Sequence, residues 1–533
     1  MSKKIYNPPF FTIYINGVIK IKKQSLLKGT FILVIAGFSN KVLGFLLRLI
    51  LVRVIGDEGL GLFQMVFPIF ISFSIITTLG FPVALSKFIP TILAKKNKEN
   101  ALNLFFSALL VTFVSSIVIT LLFISLSAFI AENILNDSRT YYILLVIAPA
   151  LIFAALASVL RGFFQGFRLM TPTATSQIIE QVFRITATLV ILYKVINQSL
   201  EVQATGVALG ISIGQLFGFL TLVIFFIHYI KLKDIRLSYQ QVKISTAKLI
   251  KFGIPITLGR LIASLLYSIE AATIPGQLQQ AGYSLSQATG LYGQLAGMVQ
   301  QLIYLPTIIT LALNTNLIPN ISEYAAQNKY QIIKNKLQNI IKLISYLGFL
   351  TTAIFITLAT EICDLLFSYP QAARPLRILA ITAVFLYLGQ SFSGILHGLG
   401  KPKQVVINLI IALTIELLLI HSATSVPKEW SFIVITAAIG IRYFITALLH
   451  FRSINQIVKI RLYLADIIVK PLLATAMILL LLPKLYNLFF YMTTSNFISL
   501  LVTITFSTIF FFAFLILTNG ITKKDLERFI PQI

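Results

Sequence analysis

Acidic residues are scarce: 17 Asp and Glu stand against 43 Lys and Arg in 533 residues, and charged residues of both signs make up only 11%. Soluble domains carry about a quarter charged residues, so a water-soluble globule is excluded before any motif is sought. Cysteine is almost missing. The single Cys363 excludes an intramolecular disulfide and any cysteine-based metal cluster. The four histidines, His228, His397, His421 and His450, show no ligand spacing. Zinc-protease and serine-hydrolase signatures are lacking, as are paired carboxylates on one helical turn. The nearest approach to a phosphate-binding loop is GILHGLGKP from Gly394. It spaces its Gly and Lys one residue too far apart and puts Pro402 where Ser or Thr must ligate magnesium. The chain therefore calls for no cofactor and no metal, and it hydrolyses no nucleotide. Any energy for its work must come from ion, potential or substrate gradients.

What is present is apolar. Hydrophobic residues make up 57%, with 43 Phe and 20 Tyr against one Trp, and mean hydropathy is +0.90. The fold class is an all-α polytopic membrane protein. A spanning helix needs about 20 mostly apolar residues. By that measure the expected spans are 29–54, 62–93, 101–128, 141–162, 173–195, 204–229, 249–275, 290–318, 338–367, 376–396, 405–425, 431–451, 467–486 and 496–518, fourteen in all. Pro68, Pro82, Pro255 and Pro306 fall inside them as candidate kinks. Residues 1–28 hold six lysines around a stretch, Pro8 to Val18, too short to span, and read as a cytoplasmic lead-in rather than a cleavable signal.

A net charge of +26 in a soluble chain would suggest nucleic acid. Here cytoplasmic loops account for it, since these collect Lys and Arg. One alternate set of connections, with the N-terminal arm, holds 27 Lys and Arg; the other set holds five. That asymmetry places both termini in the cytoplasm. Outward connections are all short, leaving no room for an external catalytic domain, which argues against a membrane glycosyltransferase or polymerase.

The two halves echo each other. EGLGLFQ from Glu58 answers ATGLYGQ from Ala288, and FIPTI from Phe88 answers LIPNI from Leu317. RGFFQG from Arg161 answers SGILHG from Ser393, while Pro90 with Pro319 and Pro172 with Pro402 repeat at offsets of 229 and 230. Six spans per repeat is an even number, so both repeats share one membrane orientation. The expected organisation is an arm at 1–28, a six-helix lobe at 29–230, a second at 249–451, two extra helices at 467–518, and a cytoplasmic tail at 519–533. Two six-helix lobes plus two helices is a transporter architecture.

Charges inside spans are costly, about 2.5–3.5 kcal/mol each at the bilayer centre, so they mark function or internal pairing. Lys41 and Arg48 lie seven residues apart on one face of the first span, with Gly44 between them. Arg260 and Glu270 share the seventh span with Ser264, Tyr267 and Ser268, and Lys87 ends the second. First helices of duplicated transporters commonly line the central cleft. Lys41, Arg48, Lys87 and Arg260 are accordingly the candidate cations of a cavity between the lobes, with Glu270 and Glu416 as candidate counter-ions or coupling sites. Glu180 and Arg184 form an i,i+4 pair that reads as structural compensation. Arg53 and Arg442 read equally well as residues snorkelling to an interface. Cationic cavities take anionic cargo, and guanidinium groups match phosphate bidentately.

Five strings now carry a family resemblance: KGTFILVIAGFSNKVLGFLLRLILVRVIGDEGLGLFQMVFP (28–68), GFPVALSK (80–87), RGFFQGFRLMTPTATSQIIEQVFR (161–184), ATGLYGQLAGM (288–298) and GILHGLGKPK (394–403). The chain resembles the polysaccharide-export branch of the multidrug/oligosaccharidyl-lipid/polysaccharide flippase superfamily, and within it the stage V sporulation protein B group of low-GC Gram-positive bacteria. The resemblance implies fourteen helices, two lobes and alternating access to a polyprenyl-linked saccharide in a bacterial plasma membrane, with cell-wall synthesis machinery as a further partner. The branch is related to the lipid II flippases of cell-wall synthesis. Those carry a basic residue before LGF in the first helix, matched by Lys41, and an arginine shortly after, matched one position late by Arg48. Their paired arginines in the second helix have no counterpart between Phe70 and Leu79. That departure points away from lipid II itself and toward another pyrophosphate-linked polyprenyl sugar. A drug/cation antiporter of the same superfamily would want acidic lobes, and a non-transporting scaffold of wall synthesis would need no cavity cations.

Overall fold

The computed structural model describes residues 12–15, 19–22, 26–95, 97–229, 239–460 and 462–521. The basic connection at 230–238, Arg461, most of the N-terminal arm and the tail beyond Ile521 lie outside them. Of the arm, Thr12–Ile15 (β1) and Ile19–Lys22 (β2) pair antiparallel, Thr12 opposite Lys22 and Ile15 opposite Ile19. This small ribbon is the one departure from an all-helical fold among the described residues.

Helices follow: α1 (Leu26–Thr78), α2 (Phe81–Ala94), α3 (Lys98–Phe129), α4 (Tyr141–Ile147), α5 (Pro149–Gly166), α6 (Thr171–Val195), α7 (Leu200–Tyr229) and α8 (Tyr239–Gln280). After them come α9 (Leu285–Tyr292), a π-helical stretch Gly293–Val299, α10 (Gln300–Tyr304), α11 (Thr307–Ala326), α12 (Tyr330–Thr357) and α13 (Ala359–Phe367). The series closes with α14 (Ala373–Gly398), α15 (Pro402–Ser422), α16 (Lys428–Val458), α17 (Lys470–Thr493) and α18 (Asn496–Leu517). Starts obey local chemistry. The Asn97 side chain accepts from the Asn100 amide at 3.0 Å to cap α3, and Ser284 with Gln287 forms a reciprocal capping box on α9.

Eleven helices are long and apolar enough to cross a membrane, or twelve if the bent pair Leu285–Tyr304 and Thr307–Ala326 is one span. The expectation was fourteen, and two elements account for the difference. The first and second expected spans run on as a single 64-residue stretch, Phe31–Ala94. At Gly56, inside the expected loop, the chain leaves helical conformation (φ 67°) and two helices meet at a kink, a conformation only glycine adopts without strain. A second break follows at Leu79 and Gly80, both at positive φ. The other element is α6, too polar from Thr171 to Arg184 to qualify. Pro306 marks the 53° bend of the split pair.

The helices form two compact units. Among the described residues, the first holds those up to Ile55 together with Leu62–Ala272, and the second holds Gly56–Gly61 together with Thr273 onward. The division runs through two helices, α1 and α8, rather than between the sequence repeats. Most of α8 packs in the first unit, where Ser264 and Ser268 reach Ser72 of α1 at 2.9 and 3.0 Å. The core of the first unit is aromatic, with Phe81, Phe105, Phe163 and Phe164 fully or almost fully buried. In the second unit Leu337, Ile395, Leu396 and Ile454 are buried together.

Candidate functional site: unpaired cations in the first unit

The first unit contains most of the candidate charges: Lys41, Arg48, Lys87, Arg260 and Glu270. Glu416 belongs to the second.

Lys41 and Arg48 stand two turns apart on one face of α1. Between them Gly44 lies against the Gln181 amide of α6, 3.7 Å from where a Cβ would sit. Arg48 is half-buried, whereas Lys41 and Arg260 are exposed. None of the three has an ion-pair or hydrogen-bond partner among the described residues. Arg260, Ser264 and Ser268 recur every four residues along α8, so they share a face. Because Ser264 and Ser268 bond Ser72, that face meets the half of α1 beyond Gly56. Glu270, further along α8, is buried.

Three other intramembrane cations, Arg161, Arg184 and Arg442, are matched to acids. The Glu180 carboxylate accepts from Arg184, from Arg161 at 2.7 Å and from the Gln215 amide at 2.8 Å. Arg184 also donates to Gln181 at 3.2 Å, and Arg161 to Ser176 at 3.3 Å. The compensating pair expected from spacing is thus one side of a three-donor network. Arg161, counted by sequence among loop charges, lies in the last turns of α5 and turns inward. The signal was present in the string Arg161–Arg184, whose helix–turn–helix folds its two ends together. Glu416 and Arg442 form an ion pair at 2.8 Å with side chains 0% and 3% exposed. Arg442 therefore does not snorkel. Lys87 sits 4.3 Å over the Phe252 ring.

Sequence reasoning missed a site in the second unit. The Asp57 amide donates to the Tyr369 hydroxyl at 3.2 Å, and its carboxylate accepts from the Gln294 amide at 2.6 Å. A Cβ on Gly61 would collide with the Thr289 carbonyl, and one on Gly293 with the Asp57 carbonyl. The two glycine-rich strings read as copies of one another are packed backbone to backbone.

Such a fold defines a class: a helical, multi-pass membrane protein. Comparison with known proteins narrows it. Residues 26–282 match the family described as polysaccharide biosynthesis protein, and residues 294–420 match MatE. Stage V sporulation protein B of Bacillus subtilis is 32% identical over 83% of this chain and 86% of its own. The lipid II flippase MurJ of Bacillus subtilis is 26% identical over 74% and 77%. Among solved structures, a lipid II flippase MurJ in an inward closed conformation superposes with TM-score 0.66, at 14% identity, over 90% of this chain and 97% of that one. A multidrug resistance MATE family transporter superposes with TM-score 0.67, at 15% identity, over 79% and 94%. The chain belongs to the polysaccharide-export branch of the multidrug/oligosaccharidyl-lipid/polysaccharide superfamily, alongside stage V sporulation protein B. It is a multi-pass membrane protein, and where its relatives are named for an activity, that activity is transport.

Proposed function

We propose that the protein flips a polyprenyl-pyrophosphate-linked saccharide, a cell-wall or polysaccharide precursor, from the inner to the outer leaflet by alternating access. Lys41, Arg48 and Arg260 hold the pyrophosphate. The observation that carries this reading is the unpaired state of these three cations, beside Arg161, Arg184 and Arg442, each matched to a glutamate. A cation left without a counter-ion in a membrane-spanning helix is expensive unless a polar cavity or an anionic cargo receives it. Relatives named for lipid II transport and polysaccharide biosynthesis support the cargo class. Sugar hydroxyls cannot cross hydrocarbon unaided, since each unsatisfied one costs several kcal/mol. An inside-negative potential, worth about 2.3 kcal/mol per charge per 100 mV, helps move an anionic headgroup outward.

Fourteen crossings with both termini in the cytoplasm belong to the same proposal. The stretch Phe31–Ala94 is divided at Gly56, where two helices meet at a non-helical residue, which supports two crossings within it. The Glu180 carboxylate of α6 is satisfied inside the unit by Arg184, Arg161 and Gln215, which supports α6 as a further crossing.

The deciding experiment is reconstitution in liposomes with labelled polyprenyl-pyrophosphate sugar. Arg48→Ala and Arg260→Ala should abolish flipping without loss of folding or insertion. Lysine at either position should restore it partly, keeping charge but not the bidentate fork. Wild-type rates in both alanine variants would sink the mechanism. The match of residues 294–420 to MatE favours one alternative, drug/cation antiport. Proton- or sodium-driven efflux of a cationic dye by the same liposomes would establish it.

A further inference from the structure

The first unit carries a second feature, which uses none of Lys41, Arg48 and Arg260 and places Lys87 elsewhere than with them. A groove of about 470 Å³ is lined entirely by apolar side chains of three spanning helices, among them Phe105, Leu110 and Phe113 of α3, Leu160 of α5, and Phe219 and Phe226 of α7. That volume falls in the range of small-molecule sites. From Phe105 to Phe113 it follows α3 for about 12 Å.

Phe105, at one end of the groove, joins an aromatic cluster whose rings also carry two lysines. Phe105 meets Phe226 at 5.1 Å and Phe163 at 4.4 Å, and Phe88 and Phe252 pack against the same cluster. Phe88 and Phe252 meet edge to face at 5.1 Å. Over them sit two crossed lysines, Lys87 at 4.3 Å from the Phe252 ring and Lys248 at 4.3 Å from the Phe88 ring. Both lysines are exposed, and neither has an acidic partner among the described residues. Among the described residues of these helices, Glu201 stands in the first turn of α7 and Glu270 in the far part of α8, away from this end, while Glu99 stands in the first turn of α3.

We propose that this groove and the Lys87–Lys248 pair bind one anionic phospholipid of the bilayer, with an acyl chain along α3 and the phosphate on the two ammonium groups. Between two apolar surfaces in a membrane there is no hydrophobic driving force, so the groove supplies shape and the lysines supply the selectivity. Ring faces beneath the ammonium groups fix their position by cation–π attraction. Charge complementarity therefore selects an anionic over a zwitterionic headgroup. The lipid is a resident and not the transported cargo, because a groove lined entirely by apolar side chains offers nothing to satisfy saccharide hydroxyls.

The test uses purified full-length protein in detergent, with native mass spectrometry to count retained lipids and thermal midpoints to follow stabilisation. The probes are phosphatidylglycerol, phosphatidylcholine, inorganic phosphate and undecaprenyl phosphate. Phosphatidylglycerol should be retained singly and about tenfold to thirtyfold more tightly than phosphatidylcholine, and inorganic phosphate should have no effect. Lys87→Gln with Lys248→Gln, both at exposed positions, should reduce that preference to about twofold while keeping the fold. Leu110→Trp, at a groove position 57% exposed, should weaken retention of both phospholipids. Undiminished preference in the double lysine variant overturns the proposal. One-for-one displacement of phosphatidylglycerol by undecaprenyl phosphate also overturns it, by making the groove a cargo site.

Discussion

Single side chains differ sharply in what their loss should cost. Glu416 and Arg442 are fully enclosed, and removing one partner strands a buried charge. Glu416→Ala should therefore lower stability by about 3–5 kcal/mol, read as a fall in thermal midpoint. Replacing both by apolar residues of similar volume, Glu416→Leu with Arg442→Met, should recover most of it. If the double variant is as unstable as the single, the pair carries more than charge balance. Tyr369 makes a pH prediction. Burial, with the Asp57 carboxylate adding to it, pushes this phenol up from its ordinary value, so the folded state holds the proton more tightly than the unfolded. Stability that depends on the neutral phenol is present below about pH 10 and falls as pH rises past it. Tyr369→Phe should flatten that alkaline limb in thermal scans while weakening the fold at neutral pH through the lost Asp57 amide bond. Lys41, Arg48 and Arg260 were legible in sequence because a charge in an apolar run has nothing to hide behind. The partners of Glu180 were only half legible. Its i,i+4 neighbour Arg184 follows from helical spacing, but Arg161 arrives from 19 residues earlier through a turn whose path sequence does not specify.

Among elements, the glycine strings separate ancestry from contact. Their similarity reads as duplication, and it carries no hint that Gly61 would lie on Thr289 and Gly293 on Asp57. Close backbone approach requires glycine at both, so the same composition serves the repeat and the packing. Gly293→Ala should thus be destabilising by about 1–3 kcal/mol or more, through overpacking against backbone that cannot yield. Gly37→Ala and Gly259→Ala provide the contrast, since nothing lies within 4 Å of either added Cβ. Each should be neutral or gain up to about 1 kcal/mol of helix propensity. Thermal midpoints of the three variants decide the matter, and a neutral Gly293→Ala would mean that the stretch from Gly56 to Gly61 is loosely held. Span positions were largely legible because hydropathy needs no partner. One break was not: the expected loop near residue 56 is present as a kink between two helices, but the interruption at Leu79 and Gly80 falls inside an apolar run.

For the whole molecule, the proposed topology can be read with single cysteines in a Cys363→Ser background. Labels at Asn136, Gln279 and Gln371 should react from outside, and at Asn97 and Gln327 from inside. Two reversed positions would refute fourteen crossings. The sequence duplication suggests two modules separable between Tyr229 and Tyr239, but the packing is partitioned differently. The first unit claims α8 as far as Ala272, and the second claims Gly56–Gly61 from within α1. A chain severed between the repeats would yield fragments that each lack a piece of their own interior. The amino-terminal fragment lacks the serines that bond Ser72, and the carboxy-terminal one lacks the segment that packs on Gly290, Gly293 and Gly297. Expressed alone, each fragment should be degraded; expressed together, they should rescue one another. Each compact unit thus draws on chain from both sides of the boundary that the sequence repeat suggests.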